Sequence, residues 1–469
     1  MRPAGTLPRS PASSAGATHD RGYLVVLAVE GVLLGLAVAV GAVLNARGAG
    51  LHADAAPVYA TWGPHAGWGT PLALLVAALV VGVGPGWART ARWGVLLTVG
   101  WLAAVAWTLA LALVDGWSAG LTRRLTVQAE YLHEVPGVTD IPRMLAGFTD
   151  RILDFGPDSW STHTAGHPPG ALLVFVGLDR VGLGGGTAAA LACVLVGATV
   201  AVTVPATLRA LGSADAARAV LPFLVLLPGA VWVGASGDGL FAGVVAAGLA
   251  LLARRGPVVA FAGGLLLGFA LYLSYGFVLV APLALVVLAL RPGRRRAALL
   301  AGAVGAVAVT VVFVAVGFHW WVGYDRVVAR YHQGWAADRP YGYWVWANLA
   351  ALLLCAGPVL GPALRRGLLA ARAGRRADAR PVGRSWAGAL PDRVRVAGPT
   401  VLLPAAAMLA VAAADLSGMS KAEVERIWLP FAVWALVATA HLPAPAHRWW
   451  LAGQALTALA VNHLLRTVS

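Results

Sequence analysis

From residue 23 to residue 465 the chain alternates long apolar runs with short polar breaks. The runs are continuous Ala/Val/Leu stretches without the period-two alternation of a membrane β-barrel strand, so they read as helices. Spans are expected at 23–44, 70–85, 93–114, 187–207, 219–234, 239–253, 257–274, 277–290, 297–318, 344–364, 399–416, 427–442 and 449–465. The longer ones match the ~20 residues that cross a ~30 Å hydrocarbon layer. The stretch 170–184 is short and carries Asp179 and Arg180. It is expected to be re-entrant or to lie along the interface, because two charges suit a crossing poorly. The expected fold class is an all-α polytopic membrane protein with about 13 transmembrane helices and outer amphipathic or re-entrant segments.

Six regions follow: a disordered cytoplasmic tail over 1–21; N-terminal spans over 22–114; an outer loop over 115–186 with an interfacial helix and a His-Pro-Pro-Gly segment; core spans over 187–318; an outer aromatic and arginine loop over 319–343; and C-terminal spans over 344–469, containing a basic cytoplasmic loop at 365–398.

Composition agrees. Hydrophobic residues make up 59% of the 469 residues and charged residues 12%, against roughly 45–50% and 25% in soluble domains. The net charge is +15, and Lys421 is the one lysine among 35 basic residues. In a soluble chain such charge would raise nucleic-acid binding; here it orients spans, and no nucleic-acid partner is expected. With 170–184 not crossing, the expected inner loops hold 23 basic and four acidic residues, and the outer ones 12 and 15. That is the asymmetry of the positive-inside rule. It places the N-terminus in the cytoplasm, the C-terminus outside, and the chain as a multi-pass protein of a bacterial plasma membrane. The arginine, alanine and glycine bias suggests a high-GC bacterium of the actinomycete kind. Cys193 and Cys355 lie in apolar runs and read as packing residues.

The outer acids and bases mark the candidate chemistry. Asp115 ends a span and opens a loop of some fifty residues containing Glu130, His163 and His167. Apolar residues at helical steps from Ile141 to Leu153 read as an amphipathic interfacial helix. Asp238 opens a span, as an N-cap would. The loop 319–343 sets Arg326, Arg330 and Arg339 among aromatics, on the side where arginine is disfavoured. Arginine forks grip phosphate and aromatic faces stack on sugars. Lys421, Glu425 and Arg426 open another span at headgroup level. The two histidines near several acids allow a divalent metal ion, though Pro168 and Pro169 oppose a shared helical face; no other cofactor is indicated. Glu30 is the one acid at clear membrane depth, functional by default there.

From His167-Pro168-Pro169-Gly170 to about residue 254 the chain resembles the core of the C-type membrane glycosyltransferases, in the protein-mannosyltransferase and aminoarabinose-transferase-like branch. The matching features are the His-Pro-Pro element, the run to Gly182, a span with a basic exit at Arg209, Pro228-Gly229, and Asp238 opening the next span. The resemblance implies a catalytic acid early in the first long outer loop, a place that Asp115 fills, and a late arginine on the lipid-carrier phosphate, which Arg426 resembles. Two spans precede the one ending at Asp115, and Gly116 stands where the family has a second acid, so Glu130 is the alternative base.

The function expected is transfer of a sugar from a polyprenyl-phosphate donor to an envelope glycan, lipid or protein acceptor on the outer face, by an inverting glycosyltransferase embedded in membrane lipid. Catalysis would fall to Asp115 and Glu130. Binding would fall to His163, His167, Asp238, Arg326, Arg330, Arg339, Lys421, Glu425 and Arg426. The alternative is a transporter or flippase for a lipid-linked or anionic solute.

Overall fold

The computed structural model describes residues 21–377 and 397–467. Among them the chain is helical, apart from one pair of three-residue strands. Six helices are long and apolar enough to cross a membrane: Gly22–Ala46, Gly69–Thr90, Trp93–Ala112, Gly186–Ala210, Arg295–Ala315 and Pro399–Leu416. A seventh arises if Tyr341–Ala356 and Leu360–Ala373, bent by 93°, count as one span. The protein is thus an all-α membrane protein. The tail expected over 1–21 falls almost wholly outside the described residues, as does 378–396 of the basic loop expected at 365–398.

Other apolar runs form shorter helices, at Asp238–Ala253, Pro257–Leu273, Tyr275–Leu290 and Leu429–His441. Proline and glycine set the breaks. The helix expected over 219–234 stops at Val225 before Pro228-Gly229 and resumes only as Ala230–Val233. The run 344–364 breaks at Gly357, whose φ of +86° suits glycine and ends the helix, with Pro358 following. The stretch 170–184 forms the helix Pro169–Arg180, about 18 Å long at 1.5 Å per residue. The amphipathic helix expected from 141 to 153 is instead two turns, Ile141–Ala146 and Phe148–Arg151, parted by Gly147. Phe148 and Ile152 are fully buried, so this apolar stripe faces protein.

Long and short helices occupy different places. Gly22–Ala46 exposes Leu24, Val25, Val29, Val32 and Leu36, as a lipid-facing helix does. Asp238–Ala253 buries nearly every side chain. The core is held by close backbone approach. A Cβ on Gly264 would fall 2.0 Å from the Gly302 carbonyl oxygen, and one on Gly305 would fall 2.3 Å from that of Phe261. Helices Pro257–Leu273 and Arg295–Ala315 therefore meet through small residues, which is how membrane helices pack tightly.

Strand β1 (Ala60–Trp62) follows the first span and pairs antiparallel with β2 (Leu465–Thr467), Ala60 opposite Thr467. The pairing has a topological consequence. With Gly22–Ala46 crossing, residue 22 and β2 lie on opposite sides, so the number of crossings between them is odd. The side carrying β1, β2 and the 115–168 loop is called the loop face below.

Glu30 lies within the first span and is buried. Its Oε1 accepts a 2.8 Å hydrogen bond from the Gly361 amide, in the first turn after the 93° break. A carboxylate at a helix N-terminus takes up an amide with no intrahelical partner and complements the helix dipole.

Candidate functional site

Asp115 is the node of an ionic cluster on the loop face. Its Oδ1 lies 3.0 Å from His65 Nε2 and 3.2 Å from Arg466 Nη1, and its Oδ2 accepts from Arg124 Nη2 at 3.1 Å. One carboxylate thus ties the end of a span to the first loop, to the long loop and to β2. Burial draws the Arg124 guanidinium down from its usual range, and Asp115 opposes that.

The other expected residues gather elsewhere. Asp238 is the first residue of its helix, reached through Ser236, whose Oγ accepts the Asp238 amide at 3.3 Å. Its Oδ2 accepts a 2.8 Å hydrogen bond from Arg426 Nη1. Arg426 Nη2 donates to Glu423. Both Arg426 and Asp238 are buried. Burial works against the guanidinium charge, but Glu423, Asp238 and Glu130 outweigh it and push its pKa up. Burial likewise opposes the Glu423 charge, yet Arg426 and Arg339 hold that carboxyl below its usual range.

The backbone before Arg426 is strained. Ala422 and Glu423 both adopt positive φ, +68° and +62°, a conformation that costs a residue other than glycine about 1 kcal/mol or more. Neighbours hold it there. The Ala422 amide donates to Asn348 Oδ1 at 3.3 Å, and Asn348 Nδ2 donates to the Ser420 carbonyl at 2.7 Å. Lys421 Nζ donates to the carbonyls of Ala337 and Arg339 at 2.6 and 2.8 Å. Arg339 is buried against the rings of Tyr59, Trp335 and Trp344 and pairs with Glu423 at 3.5 Å. Glu425 turns away from Arg426, and its Oε1 accepts the Tyr59 amide at 3.0 Å. Burial pushes the Glu425 carboxyl up to about 7.

Glu130 and His163 stand beside this network. His163 Nδ1 lies 2.9 Å from Glu130 Oε1, and the carboxylate is buried. Tyr131 meets both His163 and His167 edge-on and stacks on Phe175. Burial, then Glu130 and Asp238, hold the Tyr131 hydroxyl well above its usual range. His167 bonds the His163 carbonyl through Nδ1 at 2.8 Å, and burial lowers its pKa. So Glu130, His163, His167, Asp238, Arg339, Glu423 and Arg426 form one largely buried centre, and Glu130 Oε2, Arg426 Nε and Arg339 Nε have no hydrogen-bond partner among the described residues.

Two expected residues sit aside. Arg330 anchors the long loop, donating to the carbonyls of Ile152 and Trp160 at 2.9 and 3.3 Å and pairing with Asp154 at 3.4 Å. It borders a polar cavity of about 450 Å³ that is also lined by Gln128, His133 and Thr162. Arg326 makes no ion pair among the described residues. Tyr59, His65, Arg124, Glu423 and Arg466 were not singled out by sequence; Glu423 alone had a signal, three residues before Arg426. Among the described residues no three His, Cys, Asp or Glu side chains are placed to share a metal ion.

No family model, curated protein or solved structure matches the chain.

Proposed function

We propose that the protein is an inverting membrane glycosyltransferase that moves a sugar from a polyprenyl-phosphate donor to an envelope acceptor, at the buried centre on its loop face. In this reading the N-terminus is cytoplasmic, about thirteen segments traverse the bacterial plasma membrane, and the loop face is outside. The observation that carries the reading is Arg426. It is a buried guanidinium bridging Asp238 and Glu423, with its Nε unpartnered, beside a carboxylate–imidazole pair. Transfer from a glycosyl phosphate needs a positive group on the leaving phosphate and a base on the acceptor hydroxyl. Arg426 and Arg339 supply the first, and the Glu130–His163 pair supplies the second. Asp115, saturated by three partners, holds the frame of the site.

The test is sugar release from synthetic polyprenyl-phosphate mannose, glucose and arabinose by the purified protein in lipid nanodiscs. Turnover of at least one donor, lost in Asp238→Ala, supports the reading. Absence of turnover with every donor removes it. One observation favours the second reading, a transporter or flippase: Glu30 sits at a sharply broken helix within the membrane, as ion sites do in transporters. Proteoliposomes that accumulate labelled lipid-linked sugar without releasing it would favour that reading.

A further inference from the structure

We infer that the proton acceptor is Nε2 of His163, and that Glu130 is its positioning residue. This rests on the glycosyl-transfer reading above.

The tautomer carries the inference. His163 Nδ1 faces Glu130 Oε1 at 2.9 Å. A carboxylate can only accept, so Nδ1 bears the hydrogen and neutral His163 keeps its lone pair on Nε2. The ring is held in place. The His163 amide donates to the Ala129 carbonyl at 2.9 Å, and the His163 carbonyl is bonded by His167 Nδ1 at 2.8 Å. The Tyr131 ring stands edge-on to the imidazole, 6.2 Å between centroids. Access separates the two members of the pair. The His163 side chain is 17% exposed and that of Glu130 is 2%. A substrate hydroxyl therefore meets imidazole before carboxylate.

In the step, the acceptor O–H proton passes to His163 Nε2. The oxygen electron pair forms the new bond to the sugar C1, and the C1–O bond to phosphate breaks with its electrons leaving on polyprenyl phosphate. The imidazolium lies against Glu130 and within the field of Glu423, and later returns its proton to water. Glu130 fixes the tautomer and stabilises the charge that forms, without touching substrate.

The experiment uses the full chain in nanodiscs and sugar release from the same three polyprenyl-phosphate sugars. His163→Ala is expected to lose about 10²–10⁴-fold in kcat with little change in donor KM, as the loss of a general base does. Added imidazole should restore part of the rate, and more basic methylimidazoles should restore more. His163→Asn keeps a donor to Glu130 and replaces the alanine variant if that fails to fold. Glu130→Gln should lower kcat and leave KM unchanged. A His163→Ala rate within about threefold of wild type overturns the inference, being far from the loss of a general base. So does a folded His163→Ala that no imidazole restores, or a Glu130→Ala that formate restores, which would make Glu130 the base. If the wild type releases sugar from no donor, the underlying reading falls first and takes this one with it.

Discussion

Asp238 and Arg426 are 188 positions apart in sequence and meet through a 2.8 Å hydrogen bond. The contact joins the start of a core helix to the strained turn at Ala422-Glu423. It makes the centre a property of the assembled helices rather than of any one loop.

Arg426→Lys tests what the guanidinium does. Lysine keeps the charge but cannot serve Asp238, Glu423 and a phosphate with a planar fork. A charge-assisted hydrogen bond contributes roughly 1.5–3 kcal/mol, so donor use should weaken about tenfold or more. Arg426→Ala leaves buried Asp238 without an ion-pair partner and Glu423 with Arg339 alone, and should cost about 3–5 kcal/mol of stability. Donor saturation kinetics and thermal unfolding read the two effects. An unchanged donor dependence in Arg426→Lys would confine Arg426 to a structural role.

Asp115→Asn should behave as a lost anchor. The amide still accepts from one partner but no longer balances Arg124 and Arg466. Thermal stability is expected to fall by roughly 1.5–3 kcal/mol, one charged hydrogen bond, while sugar release persists. A collapse of turnover at unchanged melting temperature would return Asp115 to the role of base.

Glu425 makes stability depend on pH. Burial raises its carboxyl from 4.5 to about 7. Between those values the folded chain holds a proton that the unfolded chain has released. Stability therefore falls as pH rises through that window, and the full penalty stands above about 7. Glu425→Gln keeps the acceptor for the Tyr59 amide and removes the titration. Its melting temperature should match wild type near pH 4.5 and exceed it at pH 8, by an amount on the order of 3 kcal/mol at most. Parallel pH profiles for the two proteins would show that Glu425 ionises normally.

The β1–β2 pairing sets the sidedness of the C-terminal end. Single cysteines at Ser213 and Ser469 should be labelled by an impermeant maleimide from opposite sides, Ser213 from within and Ser469 from outside. Labelling of both from one side would break the topology proposed here.

How much was legible in sequence varied with the range of the interaction. Apolar runs and their proline and glycine breaks are local, and the helical membrane character follows from them. The glycines of 263–268 and 302–305 announced a close helix contact, because small residues have few other uses there. Asp238 and Arg426 stood out as charges at span ends. What could not be read was pairing. Asp115 gathers Arg124 from nine residues on and His65 and Arg466 from distant segments, and no pattern near Asp115 encodes them. The amphipathic stripe from Ile141 to Leu153 was visible, but periodicity does not say whether it faces lipid or protein. The break at Gly357 hid inside an apolar run, and only its φ of +86° reveals the turn.

Helix length differs between the centre of the bundle and its edge. The peripheral helix Gly22–Ala46 has 25 residues, about 38 Å at 1.5 Å each. The helix that begins with Asp238 has 16, about 24 Å, some 6 Å short of the ~30 Å hydrocarbon layer. Because Asp238–Ala253 buries nearly every side chain, protein rather than lipid surrounds it. If the proposed transfer takes place at its first residue, a lipid-borne phosphate would have to sink below headgroup level to meet Arg426. Rates in nanodiscs should then follow acyl-chain length, with thin bilayers favouring turnover and thick ones drawing the headgroups away from Arg426.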